Sequence, residues 1–142
     1  MPELHYYFAY GSNMNEVRLR CRVGDFPNQV AAQLAGYSLR FNKAAKNKAG
    51  IGYANIIPAR SGIVEGVLYH LTEEQIKQLD VLEGVESGHY SRLAVEVAVN
   101  GSPKAAITYI ACKKYVADGL LPDETCTARA PLAHIHGYEY YG

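Results

Sequence analysis

Residues Tyr6 to Glu16 have the sequence YYFAYGSNMNE. Aromatic and apolar side chains fill Tyr6–Tyr10, a composition typical of a buried strand. Gly11 and the small polar residues after it end that strand. Asn13 can cap a following helix, and Glu16 stands three residues later, where its side chain can bond back to the cap. The stretch therefore predicts a strand, a tight glycine turn and the start of a helix.

A turn of this kind directs several backbone N–H groups into one small space. With the positive end of a helix dipole behind them, these groups suit a carboxylate, a phosphate or a developing oxyanion. An ordinary connection between a strand and a helix has the same sequence features, so the turn alone leaves both interpretations open. A nucleotide site is disfavoured, because the chain has no Walker-type lysine after the glycine.

Length and composition are those of a globular protein, and we expect one domain over residues 1–142. Fourteen basic and fourteen acidic residues give no net charge, which argues against binding nucleic acid or an anionic membrane through bulk electrostatics. We expect neither a transmembrane helix nor a signal peptide, because the apolar runs are short and the N-terminus lacks a basic region. Three widely spaced cysteines fit a reduced, cytoplasmic protein.

The pattern along the chain predicts many short strands and two or three helices, which indicates an α+β fold. The Asn100-Gly101 pair predicts a hairpin turn, and a reversal of the chain is predicted at Pro58–Gly62. The predicted strands are Tyr6–Tyr10, Val30–Leu34, Tyr37–Phe41, Gly50–Ile57, Ile63–His70, Tyr90–Val99 and Ala105–Ala111.

Helices are predicted at Met14–Arg22, after Thr72, and at Pro131–Ile135. In the first helix, Val17 and Cys21 are expected to face the core, and the three arginines at positions 18, 20 and 22 are expected in solvent. The second helix begins with a capping box, in which Thr72 is the cap and Gln75 bonds back. It is expected to end at Gly84.

The lysine-rich segment Asn42–Lys48 has two interpretations. Runs of charge are usually solvated, so a mobile loop is the simpler one. If the segment lies over a pocket, its lysines could attract an anionic substrate. A nucleic-acid patch is disfavoured, because no aromatic residues interleave with the lysines.

Tyr10-Gly11-Ser12-Asn13-Met14 resembles the signature of the γ-glutamylcyclotransferase superfamily, including its AIG2-like and BtrG-like members. Three further blocks resemble segments of that family and occur in the family's order. They are Gly50–Ile56, Gly66–Tyr69, and Leu79–Val85 with Gly88 and Tyr90 after it.

The resemblance implies a small, partly closed mixed β-barrel flanked by short helices, with a pocket at one mouth. It implies cyclisation of a γ-glutamyl amine or γ-glutamyl amino acid to 5-oxoproline, without a metal or cofactor. Neither a nucleic-acid nor a membrane partner is implied, and both a monomer and a homodimer are compatible with it. The substrate-binding residues implied on and around the turn are Tyr7, Phe8, Ala9, Tyr10, Gly11, Ser12, Asn13 and Met14.

Glu83 is the predicted catalytic residue. Its place at the C-terminal end of a helix, among apolar neighbours, disfavours the carboxylate and raises the pKa. A carboxyl group with a pKa near neutrality can accept and then donate a proton. A solvated glutamate on the last turn is the plain alternative, and the match of Glu83 to the family's catalytic glutamate favours the catalytic role.

The C-terminal part of the chain departs from the family pattern. By register from Gly137, Ala130 stands where the family has a substrate-binding tyrosine. A non-catalytic binding module on the same scaffold is therefore a second hypothesis. His134 and His136 make a poor metal pair without clustered partners. Ser12 lacks the context of a nucleophile, and Cys21, Cys112 and Cys126 lie in no reactive motif.

Overall fold

Five strands close into a barrel in the computed structural model, which describes residues 4–45 and 48–122. The strands are β1 (Leu4–Ala9), β2 (Gln29–Ala44), β3 (Ile51–Thr72), β4 (Tyr90–Val99) and β5 (Ser102–Ala111). Their order in the barrel is β1-β5-β4-β2-β3, and β3 pairs back with β1 to close it. The β1–β5 pair is parallel and the other pairs are antiparallel, so the barrel is mixed. A short sixth strand, β6 (Leu121–Pro122), pairs with β3 outside this closed set.

Two α-helices flank the barrel, α1 (Glu16–Val23) and α2 (Glu73–Leu82). Short 3₁₀ turns at Ser12–Met14 and Lys113–Tyr115 accompany them. The α+β class and the small mixed barrel with short helices, as expected from the sequence, are confirmed.

Two local sequence signals are confirmed in the structure. Thr72 and Gln75 form the capping box at the start of α2, because each side chain accepts a hydrogen bond from the other residue's N–H. Asn100 and Gly101 join β4 to β5 with φ angles of 50° and 81°. Two successive positive φ angles are what a two-residue hairpin turn requires.

The strands β2 and β3 form one long hairpin, where the sequence predicted four shorter strands. Ala35 pairs with Ile63, and Tyr37 pairs with Pro58, so residues 59–62 bulge out opposite Gly36 alone. The predicted reversal at Pro58–Gly62 is therefore wrong. The turn-forming residues make a bulge inside a continuous strand.

The buried face of α1 also differs from the prediction. Val17 is 70% exposed and Cys21 is exposed, whereas Leu19 and Val23 are buried. Positions two residues apart lie on nearly opposite faces of a helix. The prediction that Val17 and Cys21 face the core is therefore wrong.

Apolar side chains form two clusters that share β1. Tyr7 and Ala9 belong to the cluster between the barrel and the helices, with Met14, Leu19 and Leu79. Phe8 and Tyr10 belong to the other cluster, among residues of β2, β3, β4 and β5. Strand alternation explains this division, because neighbouring side chains of a strand point to opposite faces. Packing on both faces holds the end of β1 in place, and the glycine turn begins there. Within the ranges described, no helix is both long and apolar enough to cross a bilayer.

Candidate active site

A cleft of about 480 Å³ opens at the end of β1. One wall is the turn that follows this strand, including Gly11, Ser12 and Asn13. The residues at the end of α2, from Val81 to Gly84, form another part of the lining. The cleft therefore brings together the glycine turn and Glu83, which are 70 positions apart in the chain.

In the described part of the chain, three backbone N–H groups of the glycine turn have no acceptor. The N–H of Met14 donates to the carbonyl of Gly11 at 3.0 Å, and that of Asn15 donates to Ser12 at 3.2 Å. Among the residues described, none accepts a hydrogen bond from the N–H of Gly11, Ser12 or Asn13. Such groups are suited to an anionic or carbonyl oxygen.

Asn13 fixes the turn instead of capping the helix. Its Oδ1 accepts from Arg22 Nη1 at 2.7 Å, and its Nδ2 donates to the Tyr7 hydroxyl at 3.1 Å. Asn15 caps α1, because its Oδ1 accepts from the N–H of Arg18 at 3.2 Å. The predicted capping role of Asn13 is therefore wrong.

Tyr69 holds the same turn from the core side. Its hydroxyl lies 2.9 Å from the carbonyl oxygen of Asn13 and 3.0 Å from that of Met14. The Tyr69 ring is fully buried. The Asn13 side chain and the carbonyl groups of the turn are thus bonded within the described protein, whereas its N–H groups are left for a ligand.

Glu83 follows the last residue of α2, and its N–H donates to the carbonyl of Leu79 at 2.8 Å. Gly84 then takes a φ of 67°, which turns the chain away. The Glu83 residue is half-buried, and protein atoms surround its carboxyl group. No described residue donates a hydrogen bond to this carboxyl group.

Burial raises the pKa of Glu83 from 4.5 to about 7. The charges of Arg22, Lys43 and Arg18, in decreasing order, oppose this rise without cancelling it. The direction agrees with the sequence-based expectation of a raised pKa. Desolvation of the carboxylate is the main cause of the raised pKa, because the buried charged form loses its hydration by water.

Five of the eight residues predicted to bind substrate line the cleft, namely Tyr7, Tyr10, Gly11, Ser12 and Asn13. The other three do not line it. Phe8, Ala9 and Met14 are at most 1% exposed and pack in the core behind the turn. The role of these three residues in substrate binding stays a prediction.

Hydroxyl groups brace the walls of the cleft. Tyr10 donates to the carbonyl of Tyr109, and Tyr90 donates to that of Ala54 at 2.8 Å. Thr108 donates to the carbonyl of Phe8 at 2.7 Å. Burial raises the pKa of Tyr10, so its phenol stays neutral. These bonds connect strands that are distant in sequence, which keeps the shape of the cleft fixed.

The cationic residues of the cleft were predicted only in part. Arg18 and Arg22 were expected in solvent, and both line the cleft from α1. A mobile loop, the simpler interpretation of Asn42–Lys48, is wrong for Lys43, which lies in β2 and is 2% exposed. The other interpretation, that lysines of this segment lie over a pocket, agrees with the cleft lining. The Nζ of Lys43 donates to Ala44 O at 3.0 Å and lies 2.8 Å from His89 Nδ1. No local pattern distinguishes these residues from surface cations.

Metal ligation has little support in the part of the chain that is described. Among residues 4–45 and 48–122, no group of three His, Cys, Asp or Glu side chains lies close enough to hold an ion. Cys21 is exposed and Cys112 is half-buried, and both are free thiols. The predictions on Cys126, Ala130, the Pro131–Ile135 helix, His134 and His136 lie outside the described residues.

The model of the family described as "Gamma-glutamyl cyclotransferase, AIG2-like" matches residues 7–128. The chain belongs to this family. The human protein named gamma-glutamylcyclotransferase is 31% identical over 114 residues, which are 78% of this chain and 57% of that protein. Protein AIG2 B of Arabidopsis thaliana is 33% identical over 113 residues, covering 78% of this chain and 62% of the relative.

A solved structure named gamma-glutamyl cyclotransferase superposes on this family member with a TM-score of 0.71 at 29% identity. The superposition covers 77% of this chain and 67% of the other. The chain matches only about three fifths of the length of the two curated relatives.

Proposed function

We propose that the protein cyclises a γ-glutamyl amino acid or γ-glutamyl amine to 5-oxoproline and releases the free amine, with Glu83 as the general acid and base. The observation that carries this proposal is the buried carboxyl group of Glu83 in the same cleft as the N–H groups of Gly11, Ser12 and Asn13. Membership of the gamma-glutamyl cyclotransferase family supports the choice of reaction.

The reaction is an intramolecular acyl transfer. The α-ammonium of the glutamyl unit loses a proton, and its nitrogen then attacks the γ-carbonyl carbon to form a five-membered ring. The bond from that carbon to the departing nitrogen breaks, and this nitrogen takes up a proton. The ring nitrogen loses a second proton, which passes to solvent or to the released amine. The products are 5-oxoproline and the free amine, and no water is consumed. Holding the substrate folded supplies much of the acceleration, because both reacting groups belong to one molecule.

Glu83 suits both proton transfers. With a pKa of about 7, it is present at neutral pH in both its charged and its neutral form. As a carboxylate it removes the proton from the α-ammonium. The carboxylic acid that results then protonates the departing nitrogen. Because no described residue donates a hydrogen bond to Glu83, the carboxyl group is available to the substrate.

The glycine turn has a binding role in this proposal. The N–H groups of Gly11, Ser12 and Asn13 bind the α-carboxylate of the glutamyl unit, which places the α-ammonium towards Glu83. The bonds of Asn13 to Arg22 and Tyr7 hold the turn before the ligand arrives. Binding groups that are already in place lose little entropy when the substrate binds.

The experiment is an assay for 5-oxoproline with a panel of γ-glutamyl compounds and the Glu83→Gln variant. We expect wild-type protein to form 5-oxoproline and the variant to lose activity by about a hundredfold or more, the range for removal of a general acid–base. Glu86→Gln is the matched control, because Glu86 is exposed three residues further along. Its rate should equal that of the wild type.

The pH profile gives a second readout. Glu83 must be ionised to act as base, so kcat/KM of the wild type should rise between pH 5 and 8 with a midpoint near 7. Equal activity of Glu83→Gln and wild type would contradict the proposal. Stabilisation by γ-glutamyl ligands without any product would instead indicate a binding module.

A further inference from the structure

The described lining of the cleft carries more positive than negative side chains, which a glutamyl unit alone does not require. Four cationic side chains, Arg18, Arg22, Lys43 and Lys48, line it, and Glu83 is the single carboxylic acid among the described lining residues. A γ-glutamyl group itself carries one carboxylate and one ammonium, so it is neutral overall. A concave site with an excess of one sign of charge favours a ligand of the opposite sign.

Arg18 is the arginine of α1 whose guanidinium has no hydrogen-bond partner among the described residues. Arg22 donates to Asn13, and Arg20, on the outer side of the helix, pairs with Glu16 at 3.0 Å and Asp25 at 3.1 Å. The Nε atom of Arg18 is buried and has no acceptor among the described residues. A buried donor without an acceptor is costly and rare in proteins, unless a ligand completes it.

Arg18 and Arg22 also lie close enough to repel each other. Desolvation is the main cause of the lowered pKa of Arg22, and the charge of Arg18 is the next. Two arginines one helical turn apart, both facing a cleft, form a cationic pair that an anion would stabilise. A planar carboxylate matches the fork of a guanidinium particularly well.

We infer that the Arg18 guanidinium binds a carboxylate carried by the departing amine, so that Arg18 is a specificity-determining residue and the substrate is an anionic γ-glutamyl amino acid or peptide. This inference rests on the proposed function. In that proposal the α-carboxylate of the glutamyl unit is bound by the turn N–H groups, which leaves Arg18 for a second carboxylate. A departing amine with a neutral or cationic tail gives Arg18 nothing to bind.

The experiment compares two substrates of nearly equal shape, γ-glutamylalanine and γ-glutamylalaninamide, which differ by one negative charge. Initial rates are measured at pH 8.5, where Glu83 is ionised and loss of the Arg18 charge has little effect on its protonation. We expect the wild type to favour the acid by about tenfold or more in kcat/KM, as for a charge-assisted, bidentate contact. A γ-glutamyl diamine, with a cationic tail, should be the poorest substrate.

The Arg18→Gln variant tests the residue itself. We expect KM for γ-glutamylalanine to rise about tenfold with kcat nearly unchanged, and kcat/KM for the amide to change less than about threefold. Arg18→Lys keeps the positive charge but cannot donate two parallel hydrogen bonds to a carboxylate, so it should give an intermediate KM. Arg60→Gln is the charge-matched control, since Arg60 is exposed on the β3 bulge and outside the cleft lining. It should behave like the wild type.

Calorimetric binding to the Glu83→Gln protein separates this inference from the proposed reaction. If 5-oxoproline forms but the wild type treats acid and amide alike, the role of Arg18 is refuted and the reaction stands. If no compound reacts but the acid binds more tightly than the amide, and Arg18→Gln removes that difference, the reaction is refuted and the carboxylate site stands. If neither compound reacts or binds, both proposals are refuted. The preference of the wild type for γ-glutamylalanine over γ-glutamylalaninamide needs no variant. This comparison therefore tests the inference even if a variant folds poorly.

Discussion

Two acidic side chains, one within α2 and one directly after its end, have opposite environments. Asp80, within the helix, accepts hydrogen bonds from Arg92 at 2.6 and 2.9 Å and from the Tyr109 hydroxyl at 2.6 Å. Glu83, three residues later, receives no hydrogen bond from the described residues. The difference shows that hydrogen-bond donors, more than position along the helix, decide whether the pKa of a carboxyl group is lowered or raised.

The pKa values of the two groups move in opposite directions for this reason. Desolvation would raise the pKa of Asp80, but the hydrogen bonds from Arg92 and Tyr109 outweigh it and hold the pKa below its usual value. At Glu83 desolvation prevails, and the pKa rises to about 7. Asp80 is therefore ionised throughout the neutral range, while Glu83 exchanges its proton within it.

The largest expected effect is on stability when Glu83 becomes Gln. Because the folded-state pKa lies above 4.5, the charged form of Glu83 opposes folding, and this cost appears as the pH rises from about 4.5 to 7. The difference corresponds to about 3 kcal/mol. Urea unfolding should show Glu83→Gln to be more stable than the wild type by roughly that amount at pH 8, and hardly at all at pH 4.5. Equal stability at pH 8, with Glu86→Gln as control, would contradict the comparison.

The same change of acid to amide at Asp80 should have the opposite sign. Asp80→Asn loses the charge that Arg92 binds through two nitrogen atoms, and we expect a loss of about 2 kcal/mol. Since the pKa of Asp80 is lowered, this loss should be constant between pH 5 and 8 in urea unfolding. A gain in stability, or a loss that changes across this range, would show that the two acids do not differ as described.

The smallest effect is expected for Tyr109→Phe, which removes one donor from Asp80. The hydroxyl also lies 3.5 Å from the carbonyl of Ile76, and the ring packs edge-on against Tyr7. We expect a loss of about 1 kcal/mol, typical of one hydrogen bond, since the ring stays in place. Thermal unfolding would measure it. A loss as large as that of Asp80→Asn would mean that Tyr109, and not Arg92, is the main partner of Asp80.

Local chemistry explains which parts of the fold could be predicted from the sequence. The Thr72–Gln75 capping box, the Asn100-Gly101 hairpin and the alternation of β4 each depend on residues close together in the chain. The Pro58–Gly62 segment has the same local composition as a turn. Only its pairing, with residues 59–62 opposite Gly36, makes it a bulge, and that pairing depends on a distant strand.

The candidate site shows the same limit. The first four residues of the motif YGSNM and the position of Glu83 at a helix end pointed to residues that line one cleft. Asn13 was assigned to the wrong helix contact, because its true partners, Arg22 and Tyr7, approach it only in the folded chain. The burial of Lys43 was not predicted for a related reason, since it depends on the rings of Tyr53, Tyr90 and Tyr115 around its Nζ. No local pattern in the sequence reveals such an enclosure.

Closure of the barrel through β1 has a consequence for how the family can diversify. β1 has a strand on each side, β3 and β5, so the backbone that leads into the glycine turn has no free edge along which to shift. The cations of the cleft come instead from α1 and the β2–β3 hairpin. Substitutions in these outer elements can change the charge and shape of the cleft, while the glycine turn stays in the same place.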